Sequence, residues 1–91
     1  MRFYEACVAV TNEIKKQMSL EEQLCFMETS YSDLWQYHFS VGHWVRNHCL
    51  DEKGYLYKAL LMLGKQTKDE MSMFLLEFSQ GYLLLERADM L

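Results

Sequence analysis

Apolar side chains recur at helical spacing along nearly the whole chain. Phe3, Cys7, Val10, Ile14 and Met18 step by four, three, four and four, while Glu5, Asn12, Glu13 and Lys16 fall elsewhere, which predicts a first amphipathic helix. Ser19 followed by Glu22 reads as a capping box opening a short second helix, with Leu20, Leu24 and Met27 as its apolar positions and an end near Thr29–Ser30. Ser32 or Asp33 opens a third helix running to about Cys49. One stripe of it is Leu34, His38, Val41, Val45 and Cys49, and the stripe beside it is Trp35, Phe39, Gly42 and Arg46. Gly42 inside that helix costs about 1 kcal/mol relative to alanine, which points to a close helix–helix contact.

Leu50–Gly54 reads as a loop, and Tyr55–Leu63 as a short helix stopped by Gly64 just past its end. Thr67 with Glu70 forms a second capping box. It opens a long last helix on Met71, Phe74, Leu75, Phe78, Tyr82 and Leu85. Leu76, Leu83 and Leu84 widen its apolar face, as expected of a helix wrapped by others or of a dimer seam. The predicted fold is all-α: one domain over residues 1–91, a bundle of four to five helices with the C-terminal helix packed centrally against the third.

Composition narrows the class. Area scaling for 91 residues gives roughly 5,600 Å² folded against about 15,800 Å² unfolded, enough burial for one core. Hydrophobic residues at 51% and charged residues at 24% exclude a disordered chain, and four glycines without a proline disfavour a turn-rich sandwich. Nine Lys and Arg against thirteen Asp and Glu leave a net charge of −4, and the cations are scattered. This balance disfavours a nucleic-acid partner and suits a surface that docks on a basic one. Cys7, Cys25 and Cys49 cannot all pair within one chain and lie in apolar surroundings, so buried free thiols in a reducing compartment are expected. With no apolar run near ~18 residues and no apolar leader after Met1, the expectation is no membrane partner and a cytoplasmic location.

Motifs for catalysis are missing. His38, His43 and His48 are spaced by five, so successive ones leave a common helix face and do not make a metal helix. His48 and Cys49 are neighbours that a helix points apart, and no GxSxG, GxxxxGK[ST] or GxGxxG is present. The acidic pairs Glu21/Glu22 and Asp69/Glu70 fall at helix starts, where the dipole accounts for them. No enzyme activity, metal or cofactor is expected. The unusual segment is Tyr37–Asn47, which gathers aromatics, two histidines, Arg46 and Asn47 around Gly42. A cation on an apolar stripe must pair if buried, so Arg46 is expected to clamp onto Asp69 or Glu70. The functional alternative is that His38, Arg46 and Asn47 line a pocket for an anion or a partner's carboxylate.

The run His38-Phe39-Ser-Val-Gly42-His-Trp44-Val-Arg46-Asn47 resembles the HFxxGxWIRN-type signature of a family of small bacterial proteins of unknown function. Leu63-Gly64 followed by Asp69-Glu70-Met71-Ser72 is similar to that family's LG…DDMS stretch, and the likeness spans roughly Leu34 to Leu83. The resemblance implies a bacterial or phage-borne cytoplasmic protein in which Arg46 and Asp69 belong to one structural unit.

The functional expectation is a small acidic module that binds another protein, as immunity proteins and inhibitors of defence nucleases do. Its candidate interface residues are Tyr31, Trp35, Tyr37, His43, Trp44, Tyr55 and Tyr57. Two alternatives come from other classes: a homo-oligomeric structural subunit pairing through the C-terminal helix, and an anion or ligand sensor built on His38, Arg46 and Asn47.

Overall fold

Polar punctuation in the sequence falls at helix ends in the computed structural model, which describes residues 2–88. Among the described residues there are five α-helices, one 3-10 helix and no strand: α1 Phe3–Lys16, α2 Leu20–Glu28, the 3-10 helix Tyr31–Tyr37, α3 Val41–His48, α4 Tyr55–Met62 and α5 Lys68–Arg87. Ser19 Oγ accepts the Glu22 N–H at 3.1 Å while the Ser19 N–H donates to Glu22 Oε1 at 3.2 Å, a reciprocal cap that starts α2. Thr67 Oγ1 accepts the Glu70 N–H at 3.1 Å and starts α5. α4 stops in a Schellman turn: the Gly64 N–H donates to Leu61 O and the Lys65 N–H to Leu60 O, both at 3.0 Å. Gly64 sits there at φ 93°, the left-handed region that glycine enters at least cost.

α5 is the central element and packs against α1, α2, the 3-10 helix and α3, while α4 packs on α1. α5 packs against α3 as the sequence predicts, and its most extensive partner is α1. The reason lies in two small polar residues at the crossing. Thr11 and Ser79 are fully buried and share a 2.8 Å hydrogen bond, and Thr11 Oγ1 also donates to Cys7 O at 3.0 Å. Lys15 Nζ meets Glu86 Oε1 at 2.9 Å along the same pair of helices. The core contains Cys7, Val10 and Ile14 from α1, Phe26, Leu34 and Val45 from the middle segments, and Met71, Leu75, Leu76 and Leu83 from α5. The accessible surface, 5855 Å², lies close to the area expected for this length.

Three expectations are corrected. The single third helix is a 3-10 helix, a turn at 38–40 and then α3, because the backbone leaves helical geometry at Ser40 (φ −110°, ψ −93°). The three-residue repeat of the first piece lines up Tyr31, Leu34 and Tyr37, burying Leu34 and setting Tyr37 edge-on against Phe26 at 5.0 Å. α2 turns Phe26 inward, and Leu20 and Leu24 face solvent. Gln23 on its inner side donates through Nε2 to the carbonyls of Lys15 and Met18, each at 3.2 Å, capping the end of α1. That same rotation exposes Cys25 beside Phe26; Cys7 is buried as expected and Cys49 half-buried, and all three are free thiols.

Candidate functional site: the Arg46 joint and the exposed aromatic segment

α3 is short, and Arg46 lies one turn after Gly42 on its inner side. The guanidinium folds back over that glycine. Nη1 donates to His38 Nδ1 at 3.2 Å and to Ser72 Oγ at 3.0 Å, Nη2 donates to His38 O at 2.8 Å, and Nε faces Asp69 Oδ1 at 3.5 Å. Arginine has no acceptor, so His38 Nδ1 is the accepting atom in this contact. Ser72 Oγ in turn donates to Asp69 O at 3.0 Å, so the joint reaches the first turn of α5. A Cβ at Gly42 would lie 3.1 Å from Tyr37 O and 3.2 Å from Arg46 Nη1, which is why this position is glycine.

The ionic part of the joint is its outer part. The Arg46 side chain is 13% exposed and the Asp69 side chain 69% exposed. Glu70 takes no part, since it is engaged with the Thr67 cap. Asn47 also stands apart: its amide donates to His43 Nε2 at 2.9 Å on the exposed side of α3. The three residues of the expected pocket do not all line one hollow. His38 borders a hollow with Lys65, Asp69 and Phe74, whereas Arg46 and Asn47 together border another with Lys53 and Lys68.

Of the aromatic residues singled out from the sequence, Tyr31 (72% exposed), Trp35 (60%) and Tyr55 (47%) stand in solvent, as does His43. Tyr37, Trp44 and Tyr57 do not; they pack against the core. The Trp44 ring is also stacked on His48, with centroids 4.8 Å apart. Phe39, which the sequence places on a helix stripe and not among the interface candidates, is 81% exposed. Met62, which the helical spacing does not single out, is 89% exposed and flanked by exposed Leu61 and Leu63. The available signal was four consecutive apolar residues, Leu60–Leu63, which one helix turn cannot all bury.

Neither Cys7 nor Cys49 is set up as a nucleophile. Burial pushes the Cys7 thiol up to about 11, and burial with the nearby Glu13 carboxylate raises Cys49. The Tyr31 phenol is raised by its hydrogen bond to Glu77 and by that residue's charge. Among the described residues no three His, Cys, Asp or Glu side chains converge as a metal site would require. None of the described helices is long and apolar enough to cross a membrane.

The model of the family described as Domain of unknown function (DUF6794) matches residues 5–83, and the chain belongs to that family. The match fits the resemblance to a family of unknown function read from His38–Asn47 and Asp69–Ser72. No curated protein and no solved structure matches the chain.

Proposed function

We propose that this protein is a protein-interaction module: a small acidic binder that acts by occupying another protein's surface and performs no chemistry of its own. The observation that carries this reading is the segment 31–39, where Tyr31, Trp35 and Phe39 stand largely in solvent within nine residues of chain. Exposing a tryptophan and a phenylalanine forgoes roughly 1.5–3 kcal/mol each of burial energy, and aromatics of this kind dominate interface hot spots. Their backbone is held from below by the Arg46 bonds to His38 and by Leu34 in the core, so the aromatics are presented on an ordered support. The net charge of −4 favours a basic partner. Immunity proteins and inhibitors of defence nucleases have this physique, and the three unpaired thiols suit action in the cytoplasm.

The test is affinity capture with tagged parent and with Trp35→Ala/Phe39→Ala. Both positions are exposed, so the variant should melt within about 2 °C of the parent. A stoichiometric partner held by the parent and lost by the variant is expected. Equal capture by both, or nothing captured by either, would refute the reading.

A second reading has its own observation. Tyr4, Phe78 and Tyr82 cluster on the outer side of α5, with Tyr4–Phe78 and Phe78–Tyr82 centroids 5.8 and 6.1 Å apart. Gly81 between them has open space where a side chain would be, and Leu84 and Leu85 beyond are 44% exposed. A second copy pairing through α5 would cover this strip. Light scattering at high protein concentration decides it, since a strict monomer leaves the strip uncovered.

A further inference from the structure

Phe39, the most exposed of the three aromatics on the segment 31–39, stands against a titratable ring. The imidazole of His38 meets it edge-on, with centroids 4.8 Å apart and planes at 85°. His38 Nδ1 accepts from Arg46 Nη1 at 3.2 Å, and an imidazole nitrogen accepts only while it carries no proton. Histidine is the side chain that gains its charge between about pH 5 and 8. A proton on Nδ1 sets two N–H groups and two positive charges against each other across that contact. The guanidinium has no room to give way. Its Nη1 is tied to Ser72 Oγ at 3.0 Å and lies 3.2 Å from where a Gly42 Cβ would be, its Nη2 is tied to His38 O at 2.8 Å, and its Nε faces Asp69 Oδ1 at 3.5 Å. The imidazole is therefore the group that moves.

A second station for it is at hand. His38 borders a hollow of about 350 Å³ together with Asp69, Glu70 and Glu77 of α5 and Lys65 ahead of that helix. The charged groups facing the ring are thus Arg46 from α3, Lys65, and three carboxylates from α5. Lys65 is drawn toward the Phe74 ring, its Nζ 5.8 Å from the centroid. Contact with Arg46 suits only the neutral imidazole, whereas the carboxylate side of the hollow suits the cation. Resting on the interaction-module reading, we propose that His38 is a proton switch for the aromatic segment. Neutral, the ring is held by Arg46 and supports Phe39 for binding; protonated, it leaves Arg46 for the carboxylates of α5, and Phe39 loses its support. The interface is engaged at neutral pH and released on mild acidification.

The test is NMR of the whole chain carrying His43→Asn/His48→Asn, both at exposed positions, so that His38 is the only histidine left. A long-range proton–nitrogen spectrum reads the protonation of each ring nitrogen, while the Arg46 Nε–H and the Phe39 ring protons report on the joint and the aromatic segment. Between about pH 8 and about pH 5, His38 should gain a proton on Nδ1, and the Arg46 and Phe39 signals should move with it at a single midpoint. His38→Asn in this background offers Arg46 an amide oxygen that does not titrate, so both signals should hold constant over the same range. Phe39 signals that ignore the His38 titration, an Nδ1 already protonated at about pH 8, or a transition that survives in His38→Asn would each overturn the switch. If His38→Asn does not fold, the titration of the first variant decides alone. Affinity capture separates the switch from the module: the partner should be retained about tenfold less at about pH 5.5 than at about pH 7.5 by the parent, and equally by His38→Asn. A partner that the parent holds equally at both would refute the switch and leave the module standing. A coupled His38–Phe39 transition with no partner captured at either would refute the module and leave the coupling.

Discussion

Arg46→Ala is the sharpest perturbation of this fold, and its cost can be worked bond by bond. The substitution removes the donor to His38 O at 2.8 Å, the donor to His38 Nδ1 at 3.2 Å and one donor to Ser72 Oγ at 3.0 Å. Hydrogen bonds from a charged group are worth roughly 1.5–3 kcal/mol each when buried. Here the sum is cut down, because His38 is only half-buried and water can reach its freed acceptors, and Ser72 keeps its bond to Asp69 O. The net loss should be about 3 kcal/mol, which lowers the melting temperature by more than about 10 °C in a domain of this size. The ion pair contributes little to that figure. With its Asp69 side chain 69% exposed, it belongs with surface pairs worth about 0–1 kcal/mol. Asp69→Asn should therefore cost under about 1 kcal/mol, and Arg46→Lys should recover little, since one ammonium cannot span three acceptors in a plane. Urea unfolding followed by circular dichroism measures all three variants. An Arg46→Ala loss below about 1 kcal/mol, or an Asp69→Asn loss as large as that of Arg46→Ala, would refute this ranking of neutral acceptors above the carboxylate.

Other outcomes follow from the same geometry. Gly42→Ala should destabilise by about 1 kcal/mol despite alanine's helix propensity, because the Arg46 guanidinium at 3.2 Å is fixed in place by its hydrogen bonds. Gly81→Ala, with nothing within 4 Å, should stabilise by about 0.5–1 kcal/mol, and paired urea melts compare the two. Ser79→Ala should cost about 1 kcal/mol and couple to Thr11→Val in a double-mutant cycle, since the two hydroxyls bond to each other across the helices. Thiol titration of the native protein should show Cys25 reacting first, Cys49 slowly and Cys7 only on unfolding. Because burial raises the Cys7 thiol in the folded state to about 11, its contribution is intact below the ordinary thiol range. It is lost as pH climbs through that range toward 11, and Cys7→Ala should flatten that alkaline loss in pH-dependent melts.

Much of the fold is legible in the sequence where one residue type has one job. Ser19 with Glu22, Thr67 before α5 and Gly64 after α4 mark helix ends because side-chain acceptors and a glycine turn act locally. The α1 stripe of Cys7, Val10 and Ile14 is equally plain, since a long helix with one wet face has a single way to turn. The stretch from Ser30 to Ser40 reads less well. Trp35 and Phe39 have helical spacing, yet the chain folds them outward because Leu34 and Tyr37 fill the core at a three-residue repeat. The face of α2 reads poorly for a similar reason: Leu20 and Leu24 outnumber Phe26, but one large ring against Tyr37 and α5 decides the face. Gln80 reinforces it, donating through Nε2 to Phe26 O at 3.0 Å and also to Thr29 O. A need for Arg46 to be paired could be anticipated from its apolar stripe. Its main acceptors could not, because a backbone carbonyl and a core serine leave no charge pattern to read.

The most direct test of the interaction reading is site-specific photo-crosslinking from Phe39 in cells that carry the protein, with exposed Lys58 on α4 as the control position. If the aromatic segment is an interface, a photoreactive side chain at position 39 should yield one discrete adduct with another protein, absent from position 58. No adduct from position 39, the same adducts from both positions, or an adduct of the chain with itself would contradict it.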